Sequence, residues 1–330
     1  MSRVDVIVPC YNYGRYLRAC VASVLAQAEV NVRILIIDDC STDDSEAVGR
    51  RLAAESSQVE YRRHPKNQGH IATYNEGLRW ITGDYCLLLS ADDLLVQGAL
   101  ARAVNLMDQN PQVGMAYGNV IRSATPDFWA VPPPSAYDCE VIPGPAFIEA
   151  SCRACTTGVE TATAVVRTLV QQAVGGYRPE LPHAGDQEMW LRCASQGAVG
   201  RIHAPQAFYR RHGANMSDGY ESRQDVEQVR AAFRYFFSEY ADRVPGFRRH
   251  ETLVNKGLAV KTLYLANDAF DLGDLQSCRR YLAEAVSLDP TIRSHKAWRR
   301  LRLKQSLGVH LCQVLRLLLR RSRSAVSTTA

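Results

Sequence analysis

The sequence predicts an α/β chain, a doubly wound, mostly parallel sheet followed by an all-helical C-terminal extension. Three observations carry this. Over the first hundred residues or so, short apolar runs alternate with amphipathic stretches in the order βαβαβαβ, the pattern of a parallel sheet with right-handed crossovers. The runs at 32–37 and 85–89 are apolar at nearly every position rather than at alternate ones, which suits strands covered on both faces. From about Gly219 onward the apolar spacing turns helical throughout.

The elements follow in order. Residues 4–10 read as a short strand stopped by Pro9, which has no N–H to give a ladder. A turn at 11–14 leads into a helix whose Leu17, Cys20, Val21, Val24 and Leu25 face one way. Residues 32–37 form a second strand that ends in Asp38-Asp39, with Ser41 or Thr42 placed to cap the next helix. Residues 59–62 form a third strand, and Asn67-Gln68-Gly69 opens a helix from His70 to Ile81 that Gly83 ends. The run from Tyr85 then stops abruptly at Asp92-Asp93. Beyond it, Val96, Leu100, Ala103, Val104 and Met107 recur at helical spacing, and residues 113–117 read as another strand. Pro132, Pro133 and Pro134 make a stiff connector, with the aromatics Phe128 and Trp129 beside it. Residues 156–166 read as a further strand.

Two positions carry the chemistry. Adjacent carboxylates at a strand's C-terminal end, where open α/β sheets bind ligands, repel unless a cation holds them, and hard oxygen donors suit Mg2+ or Mn2+ bridging to a phosphate. The competing reading of Asp92 and Asp93 is a turn that caps the following helix. The second position is Asp186. If a helix starts there, Met189, Trp190 and Cys193 lie three, four and seven residues on, which puts Asp186 on the buried face at the N-terminal end, as a functional acid or as an N-cap. Glu188 and Arg192 form an i, i+4 pair on a different face. No G-x-G-x-x-G follows the first strand, so hydride transfer on a dinucleotide is disfavoured.

Four stretches, 6–12 (Ile-Val-Pro-Cys-Tyr-Asn at its end), 36–43, 67–77 and 88–93, stand in the order and spacing of family 2 glycosyltransferases, and the chain resembles that family. The resemblance implies the GT-A fold and an inverting transfer of a sugar from a nucleotide diphosphate donor, expected to be a UDP-sugar, to a glycan or lipid-linked acceptor. It implies Mg2+ or Mn2+ on the diphosphate, held by Asp93 assisted by Asp92. It also places Pro9, Tyr11, Asn12, Asp38, Asn67, Gly69 and Asp92 at the nucleotide. Ser90 stands where the family commonly has the first acid of Asp-x-Asp-Asp, which puts a ribose contact there in doubt. Gly185-Asp186 before Trp190-Leu191-Arg192 occupies the place of the family's Glu-Asp element, with Asp186 at the catalytic base position. His212, after Arg210 and Arg211, resembles the family's Tyr-Arg-x-His element and is a candidate for the diphosphate or the metal's open side.

At 330 residues, the chain divides by this reading into a catalytic domain at 1–218, with a nucleotide-sugar half at about 1–120 and an acceptor half at about 121–218, and a helical extension at 219–330. Residues 255–290 resemble one tetratricopeptide helix pair. No run approaches the roughly 18 apolar residues of a membrane helix, and Arg3 and Asp5 argue against a signal peptide, so a cytoplasmic protein is expected. Of ten cysteines, Cys10, Cys86 and Cys193 sit in apolar runs as buried thiols, and Cys152-x-x-Cys155 has no second pair to complete a closed zinc site. From Thr291 onward there are ten Lys and Arg and no acid, so the rest of the chain is net negative although the whole is +5. Leu307 to Arg323 has the composition of an interfacial helix, which predicts peripheral binding at an anionic membrane surface. Nucleic acid is disfavoured because no recognition motif accompanies the basic run. A nucleotidyltransferase of similar fold, and a non-catalytic sugar-nucleotide-binding adaptor, are the competing functions.

Overall fold

The computed structural model describes residues 1–127, 136–213, 215, 222–244, 246–309 and 311. Phe128, Trp129, the Pro-rich connector and most of the basic tail lie outside them. The chain divides into two compact units, the first made of 1–151, 156–220 and 231–245 and the second of 152–155, 221–230 and 246–330.

In the first unit, β1 (Arg3–Cys10), β2 (Asn31–Asp38), β3 (Val59–Arg63) and β4 (Tyr85–Leu88) run parallel in the order β3-β2-β1-β4. The helices α1 (Gly14–Leu25), α2 (Ser45–Glu55) and α3 (His70–Trp80) make the crossovers. Val4, Val6, Val8, Ile34, Ile36, Tyr85 and Leu87 bury one face of this sheet against Leu17, Val21 and Val24 of α1. Because the strands are parallel, the turns after Cys10, Asp38, Arg63 and Leu88 emerge at one edge, where open α/β sheets bind ligands. The first strand corrects one expectation: Pro9 does not stop it. Pro9 pairs with Ile37 in register, and its carbonyl accepts from Ala91 N; its missing N–H lies on that same side, past the last β1–β4 pair at Ile7 and Leu88, so the ladder to β2 is intact.

The second half of the sheet comprises β5 (Leu94–Leu95), β6 (Val113–Ser123), β7 (Cys139–Ile142), β8 (Val165–Arg167) and β9 (Ala198–Arg210). β8 lies antiparallel between β4 and β6, while β9 is parallel to β6 and antiparallel to β5 and β7. Helices α4 (Ala99–Gln109), α5 (Gly144–Ala154), α6 (Thr168–Val174) and α7 (Gly185–Ala194) alternate with these strands. The strand expected over 156–166 shrinks to Val165–Arg167, preceded by a 3₁₀ turn at Thr161–Thr163. The cause is local: Gly158 takes a positive φ of 66°, and Thr163 Oγ1 donates back to Glu160 O at 2.8 Å, so side-chain bonding competes with the ladder.

α8 (Ser222–Tyr240) joins the units, with the residues up to Arg230 belonging to the second. There, α9 (Phe247–Asp271) and α10 (Leu275–Leu288) pack as a hairpin about the turn at Gly273, whose φ is 85°, and Asp274 caps α10 by accepting from Ser277 N at 3.0 Å. The expected helix pair is thus present, with its first helix starting at Phe247 rather than 255. A third helix, α11 (Lys296–Leu307), is tied to α9 by Lys304 Nζ, which donates to Asp271 at 2.8 Å. Cys152 and Cys155 are buried thiols, and Cys155 Sγ lies 3.4 Å from Val254 O.

Candidate active site

Asp92 and Asp93 occupy the turn between β4 and β5, closed by Asp93 N donating to Ser90 O at 3.0 Å. Leu89 N donates to Ile7 O, which keeps the start of this turn in line with β1. From the end of β9, Arg210 donates its backbone N–H to Asp93 Oδ1 and its Nε to Asp92 O, both at 2.9 Å. His212 Nε2 lies 3.1 Å from Asp92 Oδ2, and its ring stacks on Tyr16 at 5.2 Å between centroids. Both acids are buried. Burial, and then the Asp92 charge, push Asp93 well above the usual carboxylate range, with the Arg210 N–H working the other way. A close, desolvated carboxylate pair is the donor set a hard divalent cation fits. Among the described residues, however, no three His, Cys, Asp or Glu side chains gather tightly enough to hold a metal ion by themselves.

The residues expected at the nucleotide lie along the same edge. Asn12, at φ 60°, accepts from Thr42 N at 2.8 Å and donates its own N–H to Ser41 Oγ at 2.9 Å, which locks the turn after β1 to the turn after β2. Tyr11 is 46% exposed beside it, and Pro9 is buried. Asp38 has no exposed surface: Tyr61 OH donates to one oxygen at 2.7 Å and Ser41 N to the other at 2.8 Å. Its neighbour Asp39 instead reaches the next turn and accepts from Gln68 N at 2.7 Å and Gly69 N at 2.8 Å. His64 completes this clamp, with Nδ1 at 2.7 Å from Asp39 and Nε2 at 2.8 Å from Glu76. Burial alone would lower the pKa of His64, but its hydrogen bonds to the two carboxylates outweigh it and the net shift is upward. Asn67 is exposed on this turn and accepts from Gly69 N at 3.1 Å.

Asp186 is the second residue of α7, and the helix is capped at Ala184, so Asp186 is not the N-cap. Met189, Trp190 and Cys193 are buried, as the spacing predicts. Glu188 and Arg192 do pair, but inside the protein: Glu188 accepts from Arg192 Nε at 2.9 Å and from Arg178 Nε at 3.0 Å, while Arg192 Nη2 donates to Gly176 O at 2.8 Å. This network fixes the start of α7 against the preceding loop. Gln187 N donates to Asp186 Oδ1 at 2.6 Å and Thr161 Oγ1 to Oδ2 at 3.5 Å. Burial, with help from the Glu160 charge, pushes Asp186 up to about 6.

One cavity of about 290 Å³ unites the two chemical ends. Ser90, Asp92, Asp93, Tyr13 and Tyr209 line it together with Asp186, and Glu160, Thr161, Tyr74 and Tyr177 complete the wall. Among the described residues, four carboxylates face it, and none of those lining it is Lys or Arg. Pro9, Tyr11, Asn12, Asp38, Asn67 and Gly69 do not line this cavity, and His212 meets it through Asp92. Glu160 and Thr161 were not legible in the sequence, since they fall in the stretch read as a strand. A glutamate among threonines that breaks an otherwise apolar run is the signal that marks them.

Residues 5–164 match the profile of Glycosyl transferase family 2. An uncharacterized glycosyltransferase of Haemophilus influenzae is 35% identical over 119 residues, 36% of this chain and 47% of that protein. Glycosyltransferase GlyG of Streptococcus pneumoniae is 30% identical over 118 residues, 34% of this chain and 39% of the relative. The chain thus matches about half, or less, of the length of these relatives. Among solved structures, Staphylococcus aureus TarS 1–349 in complex with UDP-GlcNAc superposes with a TM-score of 0.64 at 18% identity, covering 87% of this chain and 81% of that one. The mannosyltransferase PcManGT of Pyrobaculum calidifontis, in complex with GDP-Man and Mn2+, superposes with a TM-score of 0.54 at 16% identity, covering 95% and 87%. The profile match and the shared fold converge: residues 5–164 carry a family 2 glycosyltransferase domain, set in a GT-A fold.

Proposed function

We propose that the protein is an inverting glycosyltransferase that moves a sugar from a nucleotide diphosphate, a UDP-sugar first among candidates, to an acceptor hydroxyl. The observation that carries this reading is the charge of the cavity. Among the described residues the cavity is walled by four carboxylates and no Lys or Arg, and a diphosphate entering it is repelled unless a divalent cation accompanies it. Asp93 and Asp92 would hold Mg2+ or Mn2+, with His212 on the side of Asp92, and oxygens of the diphosphate would complete the coordination. When bound, such an ion neutralises charge on the departing diphosphate.

The protein's own groups divide the remaining work. Asp186, which lines the same cavity, takes the proton of the acceptor oxygen as that oxygen attacks the anomeric carbon. Thr161 and the Gln187 N–H orient its carboxylate. The turn after β1 and the loop at 67–69, joined through Asp39, shape the nucleotide end. A nucleotidyltransferase has no use for a base at Asp186, and an adaptor has no use for a carboxyl raised to about 6, so both competing readings are less favoured. An acceptor in cell-surface polysaccharide or glycoconjugate synthesis, glycan or lipid-linked, accords with the basic, leucine-rich segment at 307–323, which we assign to the inner face of an anionic membrane. No described helix is long and apolar enough to cross a membrane.

The test is calorimetric. Wild type should bind UDP or a UDP-sugar far more tightly with Mn2+ than with EDTA, and Asp93→Ala should lose that difference. Equal affinity with and without Mn2+ in both proteins overturns the metal-assisted reading.

A further inference from the structure

Among the four carboxylates of the cavity, Glu160 belongs to none of the sequence motifs. It immediately precedes the 3₁₀ turn Thr161–Thr163, which lies against β4, β5, β6 and β9 and so beside the acidic turn between β4 and β5. The turn is fastened at Glu160 itself, whose carbonyl accepts from Thr163 N at 2.9 Å and from Thr163 Oγ1 at 2.8 Å. Its carboxylate pairs with Arg122 of β6. The next residue, Thr161, donates to Asp186. Glu160 therefore lies along the wall that connects the acidic turn to the base, and its charge raises both Asp93 and Asp186.

In a displacement at an anomeric carbon, the group between the leaving diphosphate and the incoming oxygen is the transferred sugar. A carboxylate offers up to four acceptor sites, and hydroxyls or an acylamino N–H on a sugar ring are the donors that fill them. We propose that Glu160 is a specificity-determining residue that accepts hydrogen bonds from the ring substituents of the donor sugar, with Arg122 as its positioning residue. This rests on the glycosyl-transfer reading of the cavity. It predicts that the sugar, not the nucleotide, is what Glu160 reads.

The experiment compares full-length wild type, Glu160→Gln, Glu160→Asp and Arg122→Met by calorimetry with Mn2+. The probes are UDP and GDP, and UDP-glucose, UDP-galactose, UDP-GlcNAc and GDP-mannose. For whichever nucleotide sugar wild type binds best, Glu160→Gln should weaken affinity by roughly ten- to a hundred-fold, the size of a lost hydrogen bond to a charged group, and leave the matching nucleoside diphosphate unchanged. Glu160→Asp should reorder the preference among the sugars. Arg122→Met breaks the same ion pair and should cause a smaller loss, again confined to the sugar. An unchanged sugar affinity in Glu160→Gln, or an equal loss for the sugar and the bare diphosphate, overturns the assignment while the glycosyl-transfer reading stands. Failure of wild type to bind any of the six probes overturns both.

Discussion

The backbone N–H of Arg210 donates to Oδ1 of Asp93 at 2.9 Å, across 117 positions of sequence. The acid expected to carry the metal is thus oriented not by its own loop but by the last residue of β9, and the register of β9 on β5 and β6 decides where that N–H points. Function at this end of the cavity is a property of the whole sheet.

Asp186 should show itself in both rate and stability. As a base it must be ionised, so transfer should rise with pH through about 6 and level off above. Asp186→Asn should keep donor affinity and lose roughly 10²–10⁴ in turnover. Its folded pKa lies above the unfolded carboxylate value, so ionisation at neutral pH works against folding. The Asn variant should then be more stable at pH 7 by about 1–3 kcal/mol, a gain that fades as pH falls from about 6 to the ordinary carboxylate value and is absent below it. Near-normal transfer, or a lower melting temperature, would move the base elsewhere and make Asp186 structural.

His64 is a second pH-sensitive point, with the opposite sign. Its folded pKa is raised above the ordinary imidazole value, so the stability it contributes is present in full below that value and is lost as pH rises through the folded pKa. Asp39 and Glu76 face its two nitrogens, and Arg62 stands 3.7 Å from Glu76 on the far side. Hydrogen exchange at the Gln68 and Gly69 amides should accelerate over that rise beyond the intrinsic pH dependence, and His64→Ala should cost about 1–3 kcal/mol by leaving buried acceptors unpaired. Exchange that follows the intrinsic rate alone would count against the clamp.

Gly77 lets α3 lie close on β1. A Cβ there would stand 2.3 Å from Ile7 Cγ2 and 2.9 Å from Cγ1. Alanine favours a helix over glycine by about 1 kcal/mol, but overpacking costs about 1–3 kcal/mol, so Gly77→Ala should lower the urea midpoint. A raised midpoint would mean that Ile7 yields freely.

For the tail, deletion from Leu307 onward should abolish co-sedimentation with anionic vesicles while leaving nucleotide binding intact, since each basic residue adds about 1 kcal/mol of attraction near such a surface. Vesicle binding equal to that of the full chain would refute a membrane role for this segment.

What was legible in the sequence was local. The strands β1 to β4 announce themselves by apolar runs, and Asp92, Asp93 and Asp186 by position at strand and helix ends. What was hidden depends on partners far along the chain. Nothing near Asp38 reveals that Tyr61 seals it, nor that Asp39 is the acid that clamps the turn at 67–69. Pro9 reads as a stop because the sequence cannot say which side of a strand needs the N–H. Glu160 reads as part of a strand because Thr and Val favour one, and the hydroxyl bond that diverts it is tertiary in consequence though local in origin.

The pairing of β9 also has a consequence for the protein's birth. During synthesis at roughly 5–20 residues per second, about 6–23 s separate the emergence of Asp93 from that of Arg210. Throughout that interval β5 has no partner strand and β6 lacks its longest one, so the nascent chain displays an open sheet edge beside two uncompensated acids. Slow codons or a pause shortly after residue 95 would prolong this vulnerable state, and the ribosome-bound chain becomes resistant to protease and to self-association once β9 is out.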